Sequence, residues 1–263
     1  MTAIELRPRS PTEIIDAAFE ILRREYLTLI TIMAVIQLPL LAVQLLLGID
    51  LSTPEKMALS AQNQVWVSFL GMYALALSTA ATIGAASDAY LGRKPSVSRE
   101  LGLMARRFFT IPFAVTLRFI VSYFFLLFIF VPGFYLYSRW ATLSAVIVLE
   151  DKGPFSGLGR AWSLAEDRVW ASFLTQLIGY VIFIAIWVLW YGGVMLVGGM
   201  VPALARPGIL MAAQMIPIIL FYPFVGIITT LMYYDLRIRK EAFDLEMMAN
   251  ELAPPAAPAR PPA

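Results

Sequence analysis

The 263-residue chain is 60% hydrophobic and 14% charged, with a mean hydropathy of +0.75; a soluble domain is roughly half apolar and a quarter charged, and a water-soluble core cannot absorb the surplus. It has no cysteine and no histidine, which excludes disulfides, thiolate nucleophiles, Cys or His zinc sites and imidazole acid–base catalysis. The formal net charge of +2 does not point to nucleic acid, because the basic residues lie beside apolar blocks rather than along one polar face.

The first 25 residues carry Glu5, Arg7, Arg9, Glu13, Asp16, Glu20, Arg23, Arg24 and Glu25. A cleavable leader would need an uncharged apolar run there, so this segment is expected to stay in the mature protein. Ser10-Pro11-Thr12-Glu13 reads as a capping box, with Pro11 at the first helical position, where no N–H is required. Ile14, Ala17, Ala18, Ile21 and Leu22 then form an apolar stripe opposite Asp16, Glu20, Arg23 and Arg24. This predicts an amphipathic helix over 11–25, too charged to cross a bilayer.

Apolar blocks of membrane-crossing length follow. They predict six spans at about 27–47, 65–89, 108–131, 134–149, 170–197 and 209–234, with polar loops at 48–64 and 198–208. Pro39, Pro112, Pro217 and Pro223 fall inside spans, which membrane helices tolerate where neighbours re-satisfy the freed carbonyls. The fourth block is short, and Val131-Pro132-Gly133 leaves a tight turn before it. With six spans, sixteen of the 20 Lys and Arg face one side and only Lys56 and Arg206 the other, with Arg118 and Arg139 inside spans. The positive-inside rule then puts both termini in the cytoplasm of a bacterial inner membrane. Residues 235–252 are predicted as a charged cytoplasmic helix and 253–263 as a disordered Ala/Pro tail.

The layout suggests a threefold repeat. Stretches beginning at Pro11, Pro95 and Pro154 each precede an outward-going span, and each inward-going span ends near an acid: Asp88, Glu150 with Asp151, and Asp235. Three units of surface helix plus hairpin would be related by an axis along the membrane normal. The predicted fold class is an all-α polytopic transmembrane bundle with cytoplasmic amphipathic helices.

Candidate sites follow from residues that membranes tolerate only for a reason. Ala76, Ala80 and Gly84 precede Asp88 at four-residue spacing, a small-residue stripe that lets helices approach closely; a central packing helix is the plain reading and a polar pathway the sharper one. Asp88, Glu150, Asp151 and Asp235 sit at helix C-termini, where the backbone favours cations, so they need partners. Arg93, Lys152, Arg160 and Arg237 are near enough to form a locking ring of ion pairs, and a proton or cation site is the alternative. Arg118 can snorkel toward the inner surface. Arg139 either satisfies carbonyls released where the third span ends or faces an anionic lipid headgroup or solute, a role Arg118 shares as a candidate. No catalytic residue, metal site or cofactor is predicted.

The stretches Ser10-Pro11-Thr12-Glu13-Ile14-Ile15-Asp16-Ala17-Ala18-Phe19, Val131-Pro132-Gly133-Phe134-Tyr135-Leu136 with Arg139-Trp140, Val148-Leu149-Glu150-Asp151 and Tyr234-Asp235-Leu236-Arg237-Ile238-Arg239-Lys240 resemble the membrane domain attached to some bacterial glycerophosphodiester phosphodiesterases. That domain in turn resembles stand-alone bacterial inner-membrane proteins of unassigned function. The resemblance implies a membrane bundle without the soluble, histidine- and metal-using barrel, and so without phosphodiesterase activity. The expected function is non-enzymatic: handling, sensing or scaffolding around an anionic lipid or solute. A small transporter or channel, and a membrane partner of a separate phospholipid-processing enzyme, are the alternatives. Expected partners are membrane lipids, with another membrane protein or a second copy of the chain left open, and no nucleic acid.

Overall fold

The computed structural model describes residues 7–47, 54–204, 206–243 and 245. Among them there is no strand: the order is α1 (Pro11–Arg24), α2 (Tyr26–Leu47), α3 (Pro54–Tyr90), α4 (Val97–Arg106), α5 (Thr110–Phe128), α6 (Phe130–Arg139), α7 (Leu143–Leu149), α8 (Pro154–Leu164), α9 (Val169–Met200), a 3-10 turn (Pro202–Leu204), α10 (Pro207–Phe221) and α11 (Pro223–Glu241). Five helical stretches are long and apolar enough to cross a membrane: Tyr26–Leu46, Gln62–Tyr90, Thr110–Phe128, Val169–Met200 and Gly208–Glu241.

The expected fourth span, 134–149, is not one helix. It divides into α6 and α7 around a turn at 140–142, where Ala141 N–H bonds back to Ser138 O at 3.2 Å and Leu143 N–H to Trp140 O at 3.1 Å. The preceding turn also shifts. It falls at extended Ile129 (φ −145°, ψ 93°), while Pro132 and Gly133 sit in the first turn of α6. Gly133 packs there on the backbone of Leu126, which a Cβ would overlap. The chain nevertheless returns to its starting end, since Arg107, just before α5, pairs with Asp151, just after α7.

Two other expectations shift for local reasons. The loop predicted over 48–64 is helical from Pro54 onward, because a proline at the first position and an acid at Glu55 suit a helix start; residues 48–53 lie outside the described residues. Pro223 opens α11 and still lies within the crossing stretch Gly208–Glu241, and α2 and α10 carry Pro39 and Pro217 in their interiors. The helix expected over 235–252 continues from the last span only to Glu241 and is interrupted at left-handed Ala242 (φ 51°). Positions 246–263, including the Ala/Pro tail, lie outside the described residues.

Burial ranks the helices. Of the 18-residue apolar windows, those of α3 and α10–α11 are 61% buried and that of α9 is 6% buried, so α3 and α11 form the centre and α9 the outside. Gly226 of α11 meets α3 closely: a Cβ there would stand 2.8 Å from Thr82 Cγ2. Ala76, Ala80, Ala81, Ala85 and Ala86 of α3 are buried in the same core, consistent with small residues setting helix separation where lipid gives no hydrophobic drive. The exterior carries Leu38, Phe69, Phe124, Val188 and Leu189 exposed.

The short polar helices gather at one end. The capping box of α1 forms in full, with Glu13 N–H donating to Ser10 Oγ at 3.3 Å and Ser10 N–H to Glu13 Oε2 at 2.7 Å. Its Ile14, Ala17, Ala18, Ile21 and Leu22 are buried and Asp16, Glu20 and Arg23 exposed. α1 packs on α11, α4 on α3 and α8 on α7.

Candidate functional site

α5 turns one stripe inward, Ile111, Ala114, Arg118 and Ser122, while Phe113, Ile120, Phe124 and Leu127 face outward. Three- and four-residue spacing on a 3.6-residue turn puts Arg118 on the inward face, mid-helix. It is 7% exposed, so it does not snorkel to a surface. Its Nη2 donates to the Tyr137 carbonyl at 3.1 Å and to Gln176 Oε1 at 3.2 Å, and the guanidinium lies 4.3 Å from the Tyr137 ring centre. Tyr137 is in the last turn of α6, whose carbonyls lack helical partners and carry partial negative charge. Arg118 Nε is fully buried and has no hydrogen-bond partner among the described residues.

Arg118 borders a cavity of about 600 Å3 lined by α2, α3, α5, α9 and α10, and also by residues of α6, α7 and α11. Gln37, Thr79, Tyr123, Tyr137, Ser144, Gln176, Tyr180, Tyr222 and Thr229 also line it with polar groups, but most of the wall is apolar. Gln37 Nε2 is tied to Ser78 Oγ at 3.0 Å. Phe119, Tyr123 and Ile184 line the cavity and are also exposed on the outside of the bundle, so it reaches the apolar surface sideways. An apolar chamber with one buried, incompletely paired cation suits a molecule with an anionic group and an apolar body.

Arg139 is placed differently. Its Nε donates to Tyr135 Oη at 2.9 Å and its Nη1 to the Trp162 carbonyl at 2.9 Å, and the guanidinium lies 4.6 Å from the Trp162 ring centre. The carbonyl belongs to the last turn of α8, not to the end of the third span. Arg139 is absent from the cavity wall.

The four expected acids do not share a site; each has its own cation. Asp88 Oδ1 accepts from Arg93 at 2.9 Å and Oδ2 from Arg99 at 2.6 Å. Glu150 accepts from Arg160 at 3.0 and 2.8 Å and from Tyr233 Oη at 3.1 Å, and Arg160 extends the pair to Glu241. Asp235 accepts from Arg239 at 3.0 Å and from the Arg9 backbone N–H at 2.7 Å. Asp151 pairs with Arg107. Ala76 and Ala80 pack in the core, and Ala76 also touches the cavity. Gly84 faces not a helix backbone but the carboxylate of Glu100, a residue the sequence reading missed. The signal was available: Val97, Glu100, Leu103 and Met104 follow helical spacing, which puts Glu100 on the apolar stripe of α4. Among the described residues no group of three or more acids could hold a metal ion.

No protein-family model, curated protein or solved structure matches this chain.

Proposed function

We propose that this chain is a non-enzymatic bacterial inner-membrane protein that binds an anionic amphiphile, with the acidic headgroup at Arg118 and the apolar body in the central cavity. One observation carries the reading: a buried guanidinium with no ion pair among the described residues lines a mainly apolar cavity that opens sideways. A charge inside a membrane bundle persists only with partners, and an anion in the cavity would neutralise it. Arginine suits this role because its planar fork can hold two oxygens of one phosphate or carboxylate.

The proposed topology has six crossings, the fourth made of α6 and α7 in series, with both termini cytoplasmic. The Arg107–Asp151 pair supports it by bringing α7 back to the start of α5, as does the bias of basic residues toward the end bearing α1, α4 and α8. A threefold repeat fits the same contacts. Asp88 ending α3 holds Arg99 on α4, Glu150 ending α7 holds Arg160 on α8, and Asp235 in α11 holds the Arg9 backbone just before α1. Each acid secures the surface helix that follows it, and the third closes the circle onto the first.

Native mass spectrometry of the detergent-extracted protein, offered phosphatidylglycerol and phosphatidylcholine, tests the ligand reading. The wild type should retain the anionic lipid preferentially. A hydrogen bond to a charged group is worth roughly 1.5–3 kcal/mol, so Arg118→Gln should weaken that preference roughly ten- to a hundredfold, and Arg118→Lys should restore part of it. Equal retention by wild type and Arg118→Gln would overturn the reading.

A further inference from the structure

Away from the cavity, a second ionisable side chain is buried without a donor. Glu100 is 1% exposed, and neither of its carboxyl oxygens has a hydrogen-bond partner among the described residues. Its Oε2 occupies the space a Cβ on Gly84 would fill, so the absence of a side chain on α3 makes its berth. Asp88, one turn along α3, lies within hydrogen-bonding reach and has an equally buried side chain.

The neighbouring cations do not satisfy Glu100. Arg93, in the loop before α4, and Arg99, on α4, bond the two Asp88 oxygens, and both side chains are more than half exposed to solvent, at 56% and 57%. α2, the other helix packed on α4, carries no charged residue; its titratable group is Tyr26. Two carboxyls thus share a dry space with donors for only one. Such a pair cannot ionise fully without cost, and a proton on one supplies the donor that the other can accept.

We propose that Asp88 and Glu100 form a proton-binding site: Glu100 takes one proton from solvent, directs it toward Asp88, and in that neutral form seats α4 on α3. The electrostatics agree with the geometry. Burial, and then the Asp88 charge, push the Glu100 carboxyl up from its ordinary value to about 7, with Arg99 and Arg93 opposing. For a carboxyl raised on folding, the contribution to stability is full below the unfolded value of 4.5 and is lost as pH rises through about 7. Near neutrality the site is half filled. The inference rests on α3 and α4 and is independent of the ligand assigned to Arg118.

The absence of native cysteine makes the test clean. Leu103→Cys places a thiol on α4 where it packs against the core, and Gly102→Cys places one beside it in open solvent. The ratio of maleimide labelling at the two positions cancels the thiol's own pH dependence. It should rise severalfold between roughly pH 6 and 8 in the otherwise wild-type full chain in detergent, and stay low and flat with Glu100→Gln added, an isosteric mimic of the neutral acid. A flat wild-type ratio, or the same rise with Glu100→Gln, overturns the proposal. So does full restoration of the low ratio at alkaline pH by sodium, which would mark a cation site instead. Infrared spectroscopy of the wild type decides independently of how the variants fold: one carboxyl C=O band should disappear across that same range, and its absence overturns the proposal.

Discussion

Replacing Arg139 by glutamine removes a guanidinium that joins α6 to α8. Two charge-assisted hydrogen bonds at 2.9 Å each are lost, each worth roughly 1.5–3 kcal/mol. Ring contacts at 4.6 Å with Trp162 and 5.2 Å with Tyr135 go with them, at roughly 0.5–1 kcal/mol apiece. Against this, a group that is 7% exposed no longer has to be held away from water as an ion, which returns several kcal/mol. The net expected destabilisation is about 2–4 kcal/mol, a fall in Tm of order 5–15 °C. Tryptophan fluorescence during thermal unfolding in detergent reads it directly, because Trp162 lies under the guanidinium. Anionic-lipid retention by the folded fraction should not change, since Arg139 lies off the cavity wall. Arg139→Lys should recover only part of the loss, as an ammonium lacks the fork that serves both acceptors. Unchanged Tm with selective loss of lipid would refute the reasoning and make Arg139 the ligand's partner.

The close crossing of α11 on α3 and an open position on α9 give a matched test: Gly226→Ala, which forces Thr82 aside, should destabilise by about 1–3 kcal/mol, while Gly192→Ala, which meets nothing within 4 Å, should stay within about 0.5 kcal/mol of wild type; thermal melts compare them. Ser10→Ala should cost about 1 kcal/mol through loss of the α1 cap, measurable by the same melts, and leave lipid preference intact. Single cysteines at exposed Ser98 and Gly159 should be protected from an impermeant maleimide in intact cells, while one at Arg206 should label. Labelling of position 159 from outside would remove the six-crossing topology.

Much of the architecture was legible because lipid imposes a simple rule: a segment must be about 20 residues long, apolar and hydrogen-bonded within itself. The capping box at Ser10 and the inward stripe of α1 likewise depend on local chemistry that the sequence carries. The division of 134–149 did not announce itself, because mean hydropathy does not register where a helix stops. Trp140, Ala141 and Thr142 are all compatible with helix, and the break depends on what surrounds them. Glu100 escaped notice for a related reason. In the first turn of a helix an acid reads as a favourable partner for the backbone dipole, which masks its place on the apolar stripe of α4, and the tertiary placement of Gly84 shows what it faces. The acids Asp88, Glu150 and Asp235 were recognisable as needing cations, but which arginine each takes is set by helix packing. Glu150 bonds Arg160, and Arg160 bonds Glu241 81 positions further on, a link that no spacing rule predicts.

The two arginines expected inside spans are equivalent in the sequence: each is a lone cation in an apolar block with no acid nearby in that block. Their roles part through backbone. Both take a carbonyl from the final turn of a neighbouring helix, Tyr137 of α6 for Arg118 and Trp162 of α8 for Arg139, because helix C-termini are where unpaired acceptors with partial negative charge occur. Arg139, at the last position of its own helix, also reaches the Tyr135 hydroxyl one turn back, so two of its three nitrogens are held and two rings cover its plane. Arg118 sits mid-helix, where its own backbone carbonyls are consumed by the helix, and one nitrogen serves both of its protein acceptors. The break after Arg139 thus does two things at once: it ends α6 so that Tyr137 can accept from Arg118, and it places Arg139 where it can bind α8. With α6 fixed in this way, Arg118 lines the cavity and keeps one nitrogen without a protein acceptor among the described residues, whereas Arg139 is spent on joining α6 to α8.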